Sequence, residues 1–225
     1  MTACGPAPEP PDNRARFKVL GAVDSYDREG WRVAGPQAAV DARTAALPFQ
    51  GVPALRLRRG AGPVAFVRVT HSKLWVTPFL SWSWFLTYPA TVRPPARVVV
   101  GFAGGRRDGG RALREVDGLA LPDHDRRLEL VWADSALRRG SLGPAAAGAA
   151  DRAYAVRGGR ENAGTWWLET VDLATLYQRA WPGDDASRAS IAFYGVLAAA
   201  AQTGAPPDSG PSDAAAYLSG IALSR

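Results

Sequence analysis

The stretch Leu80-Ser81-Trp82-Ser83-Trp84-Phe85-Leu86 decides the fold. Its alternation has period two: Leu80, Trp82, Trp84 and Leu86 share one side of an extended chain, and Ser81, Ser83 and Phe85 take the other. Such a ladder of large apolar side chains predicts a strand with one face in a core. The same reading extends outward in both directions. Ala54 to Arg58 alternates Leu55 and Leu57 with Arg56 and Arg58. Val64 to Thr70 predicts a strand with Ala65, Val67 and Val69 inward and Arg68 outward. Arg97 to Phe102 is β-branched between Pro94-Pro95 and Gly104-Gly105. Arg127 to Ala133 sets Leu128, Leu130 and Trp132 against Glu129 and Val131.

Beyond these, Ala153 to Arg157 is a short strand ending at Gly158-Gly159. Thr165 to Val171 predicts Trp166 and Leu168 inward, with Trp167 and Glu169 outward. Ile191 to Ala199 is apolar on both faces, as a central strand is, and Tyr217 to Leu223 is the last. One helix is expected, capped by Asp172, with Leu173, Leu176, Tyr177 and Ala180 at helical spacing and Pro182-Gly183 as its stop. Residues 134–150 read as loop with a helical turn, and residues 202–213 as a loop between the last two strands. About nine strands and one short helix predict an all-β, two-sheet β-sandwich or jelly-roll. Residues 1–16 are expected to be a Pro-rich tether and residues 17–225 a single sandwich domain.

Composition narrows the class. The chain has 225 residues, of which 47% are hydrophobic, and eight Trp that require burial, so wholesale disorder is excluded. A single Cys rules out a disulfide scaffold, and no apolar run is long enough for a membrane-spanning helix. The formal charge of +6 comes almost wholly from arginine, since Lys18 and Lys73 are the only lysines. These arginines are scattered among Gly and acidic residues, a pattern that argues against nucleic acid as a partner. Met1-Thr2-Ala3-Cys4-Gly5, followed by Pro6, Pro8, Pro10 and Pro11, resembles the end of a bacterial lipoprotein signal and its linker. Cys4 is then the lipidation residue, and the expected location is the periplasm or outer envelope; an unmodified Cys4 would instead fit a cytoplasmic protein.

For catalysis the sequence offers little. His71 and His124 are the only histidines, and His124, in Pro122-Asp123-His124-Asp125, is expected on a surface loop. No nucleophile elbow is present, and no catalytic residue is assigned. A carboxylate pair for glycoside hydrolysis would have to come from Glu129, Glu169 and Asp172. A structural zinc lacks ligands, so no metal site is assigned, although Asp184-Asp185, or Asp208-Ser209 with Asp213, could hold a structural calcium. Trp31, Trp75, Trp167 and Trp181 fall outside the inward stripes and are the aromatic candidates for contact. Among them Trp167, with Glu169 and Arg97, is the expected polar-aromatic ligand patch.

The segments in order resemble the bacterial domain of unknown function 3047 family. The resemblance runs through Gly30-Trp31, Pro53-Ala54-Leu55-Arg56-Leu57, Leu80-Ser81-Trp82-Ser83-Trp84 and Ala96-Arg97-Val98-Val99-Val100. It continues through Leu128-Glu129-Leu130-Val131-Trp132, Gly164-Thr165-Trp166-Trp167-Leu168-Glu169 with Val171-Asp172, and Ala216-Tyr217-Leu218-Ser219-Gly220-Ile221. It implies an exported galactose-binding-like jelly-roll with no assigned activity. Where the family carries acidic residues, this chain has Pro94-Pro95 and Gln202-Thr203-Gly204, which implies partial loss of any site those acids mark. The combined expectation is a non-catalytic binding or accessory module of the cell envelope, with glycan or a larger envelope complex as partner. The alternatives are a polysaccharide-acting enzyme with a carboxylate pair, or a scaffold subunit.

Overall fold

A computed structural model describes residues 14–21, 30–87, 94–108, 112–144, 150–198 and 214–225. In chain order these form α1 (Arg14–Val19), β1 (Trp31–Ala34), α2 (Gln37–Arg43), β2 (Thr44–Phe49), β3 (Val52–Arg58), β4 (Val64–Lys73), β5 (Phe79–Leu86) and β6 (Arg97–Ala103). There follow β7 (Leu113–Val116), β8 (Leu119–His124), β9 (Arg126–Ala133), a 3-10 turn at Ala136–Arg138, β10 (Leu142–Pro144), β11 (Asp151–Gly158) and β12 (Trp167–Asp172). The chain ends with α3 (Leu173–Ala180), β13 (Ser190–Ala198) and β14 (Ala215–Ser224).

Seven strands make one sheet, in the order β1-β4-β13-β6-β9-β11-β10, and five make the other, in the order β12-β5-β14-β3-β2. Pairing is antiparallel except between β9 and β11. From β3 to β6, and again from β11 to β14, the chain changes sheet at every strand. The protein is therefore an all-β, jelly-roll-like sandwich. Leu80, Trp82, Trp84 and Leu86 of β5 meet Leu128, Leu130 and Trp132 of β9 between the sheets. The Trp84 ring lies edge-on to both Trp82 and Trp132. Truncating one of these buried indoles to alanine would cost about 3–5 kcal/mol.

Three features differ from the sequence reading. First, β4 buries both faces: Val64 and Phe66 enter the space between the sheets, while Ala65 and Val67 lie on the outer side. The inward set expected on β4 is thus the set that faces away from the main core. The cause is the β7–β8 hairpin, a separate two-stranded sheet, which covers that outer side with Val116, Leu119 and Leu121. Its turn holds Asp117 and Gly118 at positive φ, as a type I′ hairpin requires.

Second, β12 is inverted. Leu168 is 72% exposed, Trp166 packs on the outer face with Phe49 and Phe85, and Trp167 and Glu169 point inward. Glu169 can be buried because Arg157 accompanies it. Third, α1, α2 and several short strands join the nine expected strands and one expected helix. The start of α1 falls within the tether expected over residues 1–16, whereas Cys4 and the loop at 202–213 lie outside the described residues. The predicted helix is α3, and its Asp172 Oδ1 accepts the Thr175 amide at 2.9 Å.

Candidate functional site

A cleft of about 500 Å³ opens at the end of the sandwich where α3 meets the β4–β5 turn. It is lined by Trp75, Arg107, Gln178, Trp181, Pro182 and the segment Asp184–Ser187. The chain reaches this wall as a series of anchored pieces. Leu74 is fully buried and its amide donates to Ala189 O, so Trp75 is held just beyond a fixed point. The Trp75 ring is 53% exposed. Trp181 follows α3, with its amide closing the helix on Tyr177 O, and its ring packs against Phe102 and Tyr177 as the cleft floor. Gln178 projects from the exposed side of the same helix.

Beneath the floor the polar groups are tightly engaged. Arg126 grips Asp184 with two contacts, Nε to Oδ2 at 2.6 Å and the second guanidinium nitrogen to Oδ1 at 2.8 Å. Tyr177 donates its hydroxyl to the same carboxylate at 3.1 Å. Burial alone would raise the Asp184 pKa, but the Arg126 contacts outweigh it and the net shift is downward. Burial, reinforced by Asp184, pushes the Tyr177 phenol well above its ordinary value. Asp185 sits at the rim, where it accepts from the Ser187 hydroxyl at 2.6 Å and from Arg107 at 2.8 Å. The Ser187 bond first and Arg107 second hold its carboxyl down to about 2. Both shifts favour the charged carboxylate.

The expected patch of Trp167, Glu169 and Arg97 does not come together. Trp167 and Glu169 are neighbours between the sheets. There the Arg157 guanidinium lies 3.6 Å over the Trp167 ring, and its Nε donates to Glu169, which also accepts from Trp84 Nε1 at 3.2 Å. Arg97 belongs to a different region, the outer side of the larger sheet, where it pairs with Asp117 of the hairpin turn and with Glu129. Arg127 extends that network to Glu129 and Asp151. Because Leu128 and Leu130 face the inter-sheet core, Glu129 lies on the opposite side of the sheet from Glu169, while Asp172 caps α3. The three carboxylates considered for hydrolysis are therefore dispersed.

His124 is 1% exposed, not on a surface loop. Its Nδ1 lies 2.8 Å from Pro122 O, and its ring meets Phe193 edge-on, in a space that the hairpin closes. Of the four aromatic contact candidates, Trp31 and Trp181 are largely buried, Trp167 is half-buried, and Trp75 is open to solvent. Sequence reasoning found Trp75 and Trp181 separately. It missed Arg107, Gln178 and Ser187, which carry no motif and reach the cleft only through folding. Asp184 and Asp185 are engaged by arginines, and among the described residues no group of three or more His, Cys, Asp or Glu side chains assembles for a metal. Asp208, Ser209 and Asp213 lie outside the described residues. No helix among the described residues is long and apolar enough to cross a membrane.

No family model matches the chain, and no curated protein matches it. Several solved structures share a loose likeness. Endoglucanase 3 of family GH12 from Trichoderma harzianum is 10% identical, with a TM-score of 0.35 over 86% of this chain and 91% of that one. The xyloglucanase domain of NopAA, a type three effector from Sinorhizobium fredii, is 8% identical, with a TM-score of 0.37 over 76% of this chain and 81% of that one. The mannan-recognising carbohydrate-binding module TmCBM27 is 9% identical, with a TM-score of 0.26 over 89% and 91%. Likenesses this weak carry no functional argument; the cleft has to be read from its own chemistry.

Proposed function

We propose that the protein is a non-catalytic binding module whose Trp75 cleft takes an uncharged glycan. One observation carries the reading: Trp75, 53% exposed, walls a cleft that also holds the Trp181 and Pro182 rings and the polar side chains of Gln178, Asp185 and Ser187. A flat aromatic face covers the C–H side of a pyranose ring, while Gln178, Asp185 and Ser187 supply donors and acceptors for its hydroxyls. The charges lining the cleft are already compensated, Asp184 by Arg126 and Asp185 by Arg107, which favours a neutral ligand over a charged one. Two low-pKa carboxylates favour binding over hydrolysis. An envelope location, with Cys4 lipidated, belongs to the same proposal and rests on the sequence alone.

The test is calorimetric titration of the full chain with a panel of neutral oligosaccharides, alongside Trp75→Ala. A saturable ligand whose affinity falls roughly tenfold or more in the variant supports the reading. Silence across the panel, or equal affinity in the variant, rejects it. Released reducing sugar, lost on replacing Asp185, would move the protein to the enzymes.

A further inference from the structure

Five large hydrophobic side chains stand well exposed among the described residues; Trp75 and Val76 lie in the β4–β5 turn, and Phe79 begins β5 just after it. The other two, Leu137 and Leu168, are isolated on separate elements. The turn is not a frayed loop. Val76 and Thr77 donate their amides to Lys73 O at 2.9 and 3.3 Å, Leu74 is tied to Ala189 O, and Pro78 O accepts the Leu173 amide at 2.7 Å. With both ends fixed to β13 and α3, Val76 (50% exposed) and Phe79 (36%) are held out in water without compensation within the chain. Maintaining such a tip costs hydration free energy, so its chemistry points to an apolar medium that it meets transiently.

The charges around it name the medium. Lys73 precedes the turn and Arg188 follows the cleft segment; both are exposed, whereas Arg107 is paired with Asp185. Of the acids at this end, Asp184 pairs with Arg126, Asp185 with Arg107 and Asp108 with Arg106 and Arg126, while Asp172, opposite Phe79, is capped by the Thr175 amide and hydroxyl. An apolar tip carrying an indole, with the exposed Lys73 and Arg188 on the segments beside it, suits the interface of an anionic bilayer, where Trp settles at head-group depth.

We infer that the Trp75–Phe79 segment inserts into anionic phospholipid, with Lys73 and Arg188 meeting the head groups. Each cation brought to an anionic leaflet strengthens binding about fivefold, and each half-exposed apolar side chain withdrawn from water about tenfold. The inference does not depend on the cleft binding sugar.

Flotation of the full chain with phosphatidylglycerol vesicles, and in parallel with phosphatidylcholine vesicles, tests it. The wild type is expected to float with the anionic vesicles and to be released by high salt. Val76→Asp should weaken vesicle binding about tenfold, Lys73→Glu with Arg188→Glu about 25-fold at about fivefold for each cation, and Gln178→Ala not at all. All of these sites are exposed, so circular dichroism of the variants should match the wild type. A wild type that stays with neither vesicle, that floats equally with both, or that floats as well after Val76→Asp overturns the inference. So does a dimer that Val76→Asp dissociates without any vesicle binding, because the turn would then be a self-association surface.

Discussion

Two regions of this molecule combine an indole, an arginine and a carboxylate. Between the sheets, Trp84 and Trp167 surround the Arg157–Glu169 pair, and Glu169 is 4% exposed. At the end of the sandwich, Trp75 and Trp181 flank the Arg107–Asp185 pair in an open cleft. The ingredients match, but water reaches only the second. In the first region each buried charge is offset by its partner, so no group there is free to exchange its contacts for a ligand's. In the second the pair keeps part of its hydration, and substituting a sugar hydroxyl for water costs little. Residue type nominates a site; accessibility decides whether it recognises anything.

The largest expected effect tests the sealed region. Glu169→Ala would leave the Arg157 guanidinium buried against Trp167 with no counter-charge, at a cost of about 3–5 kcal/mol. Urea denaturation should show a correspondingly lower midpoint, whereas the folded protein should bind cleft ligands as before. Glu169→Gln keeps an acceptor for Trp84 Nε1 and should lose less. If Glu169→Ala were as stable as the wild type, the pair would not be sealed in solution and the contrast between the regions would fail.

A smaller effect comes from a second enclosed place, under the β7–β8 hairpin. Burial lowers the His124 pKa, as does the neighbouring Arg127, while the Pro122 carbonyl, Asp151 and Asp125 act in the opposite direction. The folded state therefore takes up the His124 proton less readily than the unfolded chain, whose imidazole titrates near 6.5. Stability from this group is present above that value and is lost as pH falls below it. Asp151 has the reverse sign: burial raises its pKa, so it favours the folded state more as acidity increases from neutral, down to the ordinary value of 3.8. Thermal melts from about pH 7.5 to about pH 5 should show a fall in stability that His124→Gln reduces, by about 1.4 kcal/mol for each unit of pKa shift. Parallel curves for the two proteins would mean that the hairpin does not seal His124.

The same division between what is covered and what is open explains how far the sequence could be read. The Leu80–Leu86 ladder is legible because small serines separate large apolar residues, so only one face can belong to the core. On β12, Trp166 and Trp167 stand side by side, so alternation does not distinguish the two faces, and a lone glutamate suggests solvent; the Arg157 that permits its burial lies on another strand. On β4 the alternation is present, but both faces are covered, and the cover comes from a hairpin more than forty residues later. That hairpin did have a local signal, the Asp117-Gly118 pair between Leu113-Arg114-Glu115-Val116 and Leu119-Ala120-Leu121. Trp75 could be recognised as an indole outside the core stripes. Its companions Arg107, Gln178 and Ser187 come from three distant segments, which nothing in local spacing relates.

The smallest effect probes the open region. Asp185 is at the cleft rim, and its carboxyl is held down to about 2 by Ser187 and Arg107. Its contribution to stability is present above the ordinary 3.8 and is lost only as pH falls toward 2, so Asp185→Asn should melt like the wild type at neutral pH and differ only in strong acid. The informative change is in recognition. Without the carboxylate, the exposed Arg107 guanidinium has lost its counter-charge in a cleft otherwise balanced by the Arg126–Asp184 pair. Affinity should then shift from a neutral oligosaccharide toward its uronic-acid counterpart, by about fivefold for one unpaired surface charge. Competition between the two sugars on wild type and Asp185→Asn measures that shift directly. An unchanged preference would mean that Arg107 does not face the ligand, and that neutrality of the cleft is not what selects it.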